Sequence, residues 1–354
     1  MVTGIGGGGH GEQILKALRM APTQYEIVGG DMSPISSGLV TVDHPYVLPP
    51  AGDADYIAAL LAVCRKHKVR ALFHGSEPEL RVMSEHRDEI NASGIFLPIN
   101  PRDVIDTCMD KVQTMEMLKA LGFSVPAFQR VRNLEDALAF GPLPAVLKPS
   151  VGGGGSASTT IVQSKDELRC AAAQMLTIFP EFLIQAYVGT VDQEYTVGVL
   201  NDMDGSFLNS IAVKRAILSS LSNSLKTRNR TSDTSLGPIL AISSGVSQGE
   251  IGRFPQVTRP CEELAEVLRA KGPLNIQCRF VNGKVVVFEI NPRFSGTTSL
   301  RAMVGFNEPD TLIRRHVLGQ EIAKRFPYRS GIIMRGLSET FVADRGFPEA
   351  RALL

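Results

Sequence analysis

Along the first hundred residues, short apolar runs alternate with longer stretches of helical period. Residues 2–5, 27–28, 69–73 and 94–97 are the apolar runs, and they read as strands. Residues 11–20, 53–67 and 77–90 lie between them and space their apolar positions for one face of a helix. That alternation predicts an α/β unit over 1–105, a parallel sheet with helices on both faces. Pro98 and Pro101 punctuate its end, and a helix over 103–121 follows, stopped by Gly122.

Residues 106–190 hold this linker helix and a second, small αβ unit. Strand 145–148 runs into a glycine-rich loop at 152–155; strand 158–162, helix 165–176 and strand 182–187 complete the unit. A lobe of this size, with its glycine loop at a strand end, is expected to act as a lid. In the third unit, 191–354, Tyr195, Val197 and Val199 alternate as a strand does. Residues 275–281 and 285–290 flank Asn282-Gly283, a strong hairpin turn. The stretch 219–235 is rich in Ser, Thr and Asn, carries Lys226, Arg228 and Arg230, and lacks apolar period. It is expected to be a mobile surface loop. The tail 331–354 has no role that its sequence assigns.

Composition narrows the function classes. Hydrophobic residues at 44% and charged residues at 21% fit a soluble globular protein rather than a disordered one. A net charge of +1 leaves no global field to draw nucleic acid or an anionic membrane, so anions must be bound by a local site. The absence of tryptophan and 6% aromatics weaken any reading that depends on base stacking. No apolar run approaches a membrane span, and the N-terminus shows no basic-then-apolar leader. Five scattered cysteines without a Cys-x-x-Cys pair read as reduced, mostly buried thiols in a cytoplasmic protein.

Several constellations could carry chemistry. Gly4, Gly6, Gly7, Gly8, Gly9 and Gly11 lie between a strand and a helix, with the spacing of a dinucleotide-binding turn. Asp31 follows the second strand, where a ribose-binding acid would stand. Such a turn offers backbone N–H groups and a helix dipole to an anion without choosing NAD over a phosphate or a carboxylate. Gly7 and Gly8 are therefore candidate substrate contacts, and an NAD(P)-dependent oxidoreductase is one rival reading. Lys148 ends a buried-looking strand just before the glycine loop, whose backbone could close over a triphosphate. The apolar strand 183–187 could receive an adenine edge, and beyond Gly189 stand Asp192 and Glu194, candidates for ribose hydroxyls. Gln277 lies on one arm of the hairpin, Glu289 and Asn291 on the other, two apart and so on one face. Hard oxygen ligands of this kind suit Mg²⁺, with Mn²⁺ as second choice, held largely by phosphates and water. Residues 285–288 are too apolar for an exposed strand, so the charge of Glu289 needs a partner or a metal. Arg293 could neutralise charge on a transferred phosphoryl group.

These segments, in this order, resemble the ATP-grasp superfamily, and most closely the ATP-binding halves of carbamoyl-phosphate synthetase and related carboxylate–amine ligases. Asp110-Lys111 with 118–122, then 147–156, 184–194, 275–277 and 289–298 carry the resemblance, with Glu289-Ile290-Asn291-Pro292-Arg293 the most specific part. It implies an ATP-grasp fold made of a pre-ATP-grasp parallel domain, a lid lobe and a C-terminal mixed αβ lobe. It further implies Lys111 and Lys148 on the ATP phosphates, with Gly153, Gly154, Gly155 and Ser156 as the flap. Gln185, Ala186 and Tyr187 would form the adenine hinge, with Asp192 near the ribose. Gln277, Glu289 and Asn291 would hold the metal, and Arg293 would face the acyl-phosphate centre. Two departures stand out: Ala186 replaces the Glu of many relatives, and Gln277 replaces an Asp, which leaves Glu289 as the one carboxylate. The duplicated second half and glutaminase partner segment of the synthetase are missing, so a different ligase is expected.

The expected reaction joins a small carboxylate to an amine through an acylphosphate, releasing ADP and phosphate. His74, Ser76 and Glu77, at the end of a parallel strand, are candidates to grip the substrate. Glu77 suits an amino group or, equally, the first turn of a helix. Ser295, Gly296 and Thr297 suit a carboxylate or phosphate oxygen, or the cap of a helix beginning near Leu300. Arg215 and Arg279 are further basic candidates, more often solvated strand charges than ligands. A non-catalytic nucleotide sensor of the same fold is the second rival. Small-molecule substrates and a homodimer are the expected partners.

Overall fold

The computed structural model describes residues 1–152, 158–219, 221–340 and 346–354. It opens with β1 (Val2–Thr3), α1 (His10–Arg19), β2 (Val28–Asp31), β3 (His44–Val47) and α2 (Tyr56–Lys66). The three strands are adjacent and parallel. The expected strands at 69–73 and 94–97 shrink to single parallel bridges, Val2 with Phe73 and Ala71 with Phe96. Lys68 at a φ of 49° and the tight Gly75 leave little extended chain between them. The helix expected over 77–90 is two, α3 (Glu77–Glu85) and α4 (Arg87–Ala92). The helix expected over 103–121 is also two, α5 (Arg102–Met109) and α6 (Lys111–Ala120). Asp110 breaks it: its carboxylate accepts the N–H groups of Val112 (2.9 Å) and Gln113 (3.0 Å), capping α6.

The lid follows as β4 (Phe128–Val131), α7 (Leu134–Ala139), β5 (Ala145–Pro149), β6 (Thr160–Val162), α8 (Lys165–Leu176) and β7 (Phe182–Ala186). Its antiparallel sheet has the order β4-β7-β5-β6. Helix α8 starts where Ser164 accepts the N–H of Glu167 (3.2 Å), and it buries Leu168, Ala172 and Met175 against the sheet.

The remainder contributes β8 (Glu194–Asn201), β9 (Phe207–Arg215), β10 (Asn223–Arg228), β11 (Ile239–Ser243), β12 (Gly249–Gly252) and α9 (Pro255–Val267). It continues through β13 (Pro273–Val281), β14 (Lys284–Asn291), α10 (Thr298–Met303), α11 (Glu308–His316) and β15 (Gly331–Ile333). Six of these strands form one sheet, β14-β13-β8-β9-β12-β15. The β13–β14 turn is Asn282 and Gly283 at φ of 50° and 77°, the geometry for which an Asn-Gly pair is suited.

One expectation fails here. About a third of the stretch read as a mobile loop, 219–235, is the strand β10, which pairs with β11 as a two-stranded ribbon. Its apolar period is short because one side chain, Leu225, turns inward to join Leu240, Ile242, Val146 and Tyr187. The described residues of the tail, to which the sequence assigned no role, attach at two places. β15 adds to the edge of β12, and further on Val47 of β3 donates its N–H to Pro348 (2.9 Å), tying the tail to the parallel sheet. A shared apolar core joins the parallel layer to the large sheet, with Val2, Ile5 and Ile14 against Phe294, Leu300 and Leu312. Among the described residues no helix is long and apolar enough to cross a membrane.

Candidate functional site

A cleft opens where the lid, the ribbon and the large sheet meet. Lys148 reaches it from the end of β5, Gln185 to Val188 from the end of β7, Ala241 to Ser243 from β11, and Phe288 from β14. Lys148 is 8% exposed, and its Nζ stands 5.0 Å from the Phe288 ring centre. Burial lowers its pKa to about 8, Glu289 pulling it back up and Lys111 pushing it further down. Gln185 is buried, and its Nε2 has no hydrogen-bond partner among the described residues. A buried amide donor left unpaired in a cleft wall is a ready partner for an acceptor on a bound planar base.

The cleft floor is a buried charge network. Glu194 pairs with Arg215 (3.3 Å) and with Arg279 (3.1 Å). Arg279 also donates to the carbonyl of Val188 (2.8 Å) and the Tyr187 hydroxyl (3.0 Å), with its guanidinium 4.4 Å from the Tyr187 ring centre. Arg215 donates to Ser243 Oγ (2.8 Å) and the Ser244 carbonyl (2.6 Å), and its Nε is unpaired. The reading of Arg215 and Arg279 as solvated strand charges is thus corrected: both are buried. Glu194, read as a ribose contact, lines the cleft with its carboxylate paired to these two arginines.

Through Ser243 the cleft continues into a second compartment walled by hydroxyls, amides and arginines. Opposed on β13 and β14, Gln277 and Glu289 face each other in register. Glu289 Oε1 accepts from Gln277 Nε2 (3.2 Å) and from Asn291 Nδ2 (3.1 Å). The amide oxygens of Gln277 and Asn291 accept from Arg215 (3.4 Å) and Arg293 (2.9 Å). One carboxylate and two amides converge on one point, and a half-turn of either amide would present an oxygen there. This donor set fits Mg²⁺ carried in on phosphates, since that ion keeps water and phosphate ligands and takes few from the protein.

Arg293 also pairs with Glu77 (2.7 Å), whose charge is opposed by burial but held low in pKa by Arg293 and Lys111. Next to it His74 is buried, and burial followed by Arg293 lowers its pKa to about 3, so it stands as a neutral imidazole against His10 (3.2 Å). Ser76 caps α3, its hydroxyl accepting the N–H of Glu79 (3.3 Å). Ser295 and Thr297 bond each other (2.7 Å) at the compartment wall, with Gly296 between them. Lys111 begins α6, and its N–H is held by the Ser150 carbonyl (2.8 Å), which fastens the helix to the strand end beyond Lys148. Asp192 lies on an exposed turn, bonded to Thr190 (2.5 Å), and is not part of the cleft lining. The N-terminal glycines form a loop, Gly7 at a φ of 68° and Gly8 at 76°, and Gly8 donates to Glu12 (2.7 Å). Asp31 accepts the N–H of Gly6 (2.8 Å) and of Ser33 (2.9 Å), so it braces that loop. Gly153, Gly154, Gly155 and Ser156 lie outside the described residues.

Two contributors had no sequence reading. The β11–β12 loop brings Ser244, Gly245 and Ser247 to the compartment wall. Arg335, from the tail, reaches the Gly296 carbonyl and Gln13 of α1 (3.0 Å). The Ser-Ser-Gly-Val-Ser run could have been read as a turn, but nothing near Arg335 in sequence distinguishes it.

Comparison with known proteins agrees with this geometry. Residues 4–98 match the model described as PylC-like, N-terminal domain. Residues 243–340 match that described as ATP-grasp in the biosynthetic pathway with Ter operon. The carbamoyl phosphate synthase large chain of Methanocorpusculum labreanum is 25% identical over 296 residues, 82% of this chain and 26% of that protein. The chain thus spans about a quarter of the length of the curated relatives it matches. Among solved structures, the ADP complex of an N5-carboxyaminoimidazole ribonucleotide synthetase superposes with a TM-score of 0.62 at 14% identity, covering 92% of this chain and 78% of the other. The L-amino acid ligase from Bacillus licheniformis gives 0.57 at 17% identity, with 86% and 70% covered. The parallel layer, the lid and the large antiparallel sheet are those of the ATP-grasp fold, which these solved structures share.

Proposed function

We propose that the chain is an ATP-dependent ligase that joins a small carboxylate to an amine. One observation carries this reading. Four cations, Lys148, Arg215, Arg279 and Arg293, line a continuous cleft against Glu194 and Glu289, with Glu77 pairing Arg293 as a third carboxylate, which leaves one positive charge in excess. An excess of buried positive charge calls for an anion, and its position between a hinge strand and a hydroxyl-walled compartment suits a triphosphate with a substrate beyond it. The adenine would lie along Gln185, Ala186 and Tyr187. Lys148 and Lys111 would meet the phosphates, and Glu289 with the amide oxygens of Gln277 and Asn291 would hold Mg²⁺. Bound there, the ion supplies neutralisation of phosphate charge.

The substrate carboxylate then takes the terminal phosphoryl group of ATP, giving ADP and an acylphosphate. The amine attacks the acyl carbon, phosphate leaves, and an amide remains. Arg293, held between Glu77 and Asn291, is placed to meet the charge that develops on the transferred group. Ser295, Gly296 and Thr297 line the substrate end, and Arg335 holds the Gly296 carbonyl. Solved structures of the same fold are described as ligases and synthetases, two of them with ADP or ATP bound.

Release of ADP from ATP and Mg²⁺, measured against a panel of amino acids and small carboxylates, tests the reading. Release that requires both a carboxylate and an amine supports it. The neutral amides at 277 and 291 favour one other reading, a nucleotide-binding protein without turnover. Tight ATP binding with no release across the panel would establish that instead.

A further inference from the structure

The lid and the ribbon meet at one buried amide. Gln163 directly follows β6 and is 9% exposed. Its Nε2 donates to the carbonyl of Arg228 (3.0 Å), and its Oε1 accepts the backbone N–H of Arg230 (2.7 Å). Both ends of the side chain are therefore engaged by backbone at the end of β10, more than sixty residues away in sequence. The N–H of Gln163 is held by Glu167 (2.8 Å), and Glu167 pairs with the Arg230 side chain (2.8 Å). An amide can donate and accept from one planar group; a carboxylate cannot donate to the Arg228 carbonyl, and an apolar side chain would leave two backbone groups unpaired.

The same ribbon is gripped a second time. The Tyr187 hydroxyl donates to the Ala241 carbonyl (3.2 Å) and accepts the Ala241 N–H (2.9 Å). From the second grip onward β11 presents Ala241, Ile242 and Ser243 to the cleft, which Lys148 and Phe288 also line. A wall of the cleft that belongs to the large sheet's half of the chain is thus fastened to the lid.

We infer that Gln163 is a positioning residue that makes the ribbon travel with the lid, so that one closing movement brings both walls onto the nucleotide. The inference rests on the nucleotide reading above. Gln163 stands outside the cleft lining and acts through the ribbon, so it sets ATP affinity rather than the chemical step.

The test uses the full chain and the variants Gln163→Met and Gln163→Glu, titrated with ATP and Mg²⁺ by calorimetry. Amide hydrogen exchange over 223–243 is followed with and without ATP. The wild type should bind ATP and protect the ribbon. Gln163→Glu, which loses one hydrogen bond, should bind about tenfold more weakly, Gln163→Met, which loses two, more weakly still, and both should lose ATP-dependent ribbon protection. Their protection in the parallel layer should stay unchanged. Wild-type affinity and ribbon protection in both variants would overturn the inference and leave the ligase reading intact. Failure of the wild type to bind ATP would overturn both. Should the variants not fold, wild-type exchange decides alone: lid and ribbon amides must slow over the same range of ATP concentration, and protection of one without the other sinks the coupling.

Discussion

Lys148 is a charge folded into a place that disfavours it. Burial brings its pKa from the ordinary 10.5 to about 8. Between those two values the unfolded chain holds a proton that the folded chain has released, so stability rises with pH across the window. Below pH 8 both states hold the proton, and the folded state bears the whole penalty, about 3 kcal/mol from the size of the shift. Lys148→Met should therefore raise the melting temperature by a few degrees at pH 7 and lose that gain near pH 10.5. The same variant should bind ATP far more weakly. Melts at the two pH values, with an ATP titration at the lower one, check this; a lower melting point at pH 7 would contradict it. Glu289 makes a complementary case. Gln at 289 keeps the shape, and an oxygen still accepts from Gln277 and Asn291, but the negative charge is gone. Turnover should fall at least ~100-fold, the scale of losing one electrostatic element of a transition state. The melting temperature should change little. Near-normal ADP release from Glu289→Gln would show that the metal assignment is wrong.

At the scale of elements, the N-terminal glycines divide into two kinds. A Cβ on Gly11 would lie 2.3 Å from the carbonyl oxygens of Thr3 and Gly4, and one on Gly75 would lie 1.9 Å from that of Thr3. These two allow the crossing of strand, helix and loop. Gly7 and Gly8 meet nothing within 4 Å and need glycine for their positive φ alone. Gly75→Ala should destabilise by more than about 3 kcal/mol because backbone must move, whereas Gly8→Ala should cost about 1–2 kcal/mol. Urea unfolding of the pair separates them, and equal losses would refute the division. The same contrast explains what the sequence revealed. Helix 165–176 and the Asn282-Gly283 hairpin were legible to the residue because their caps and turns are local. The ribbon was not, since its partners Val146 and Tyr187 come from the lid and the hinge. The burial of Arg215 and Arg279 was hidden for a similar reason: each pairs with Glu194, on a different strand from either. That Glu289 and Asn291 share one face was legible because a strand's period of two needs no partner to be read.

Across the whole molecule, the site depends on fastenings between layers that it does not itself contain. Asn100, fully buried at the end of the parallel unit, donates to the carbonyls of Pro273 (2.7 Å) and Pro292 (3.0 Å). Its Oδ1 accepts the N–H of Lys271 (2.8 Å). One side chain thus anchors the start of β13 and the residue before Arg293. On its other side Arg293 is held by Glu77, from the same parallel unit. Asn100→Ala would leave these three backbone groups unpaired, a loss of about 3 kcal/mol or more at 1–3 kcal/mol for each buried group. Since the core of the parallel layer is shared with the large sheet, unfolding should remain one transition displaced to lower urea, not two. Activity should respond unevenly. The hinge and the ribbon do not touch Asn100, so ATP affinity should hold, while kcat falls as Arg293 loses its fixed approach. Asn100→Asp keeps the acceptor for Lys271 and loses both donations, and should lie between the alanine variant and the wild type in stability. A variant that lost ATP affinity in parallel with kcat would mean that the parallel layer supports the nucleotide cleft as well, and that Arg293 is not the residue through which it acts.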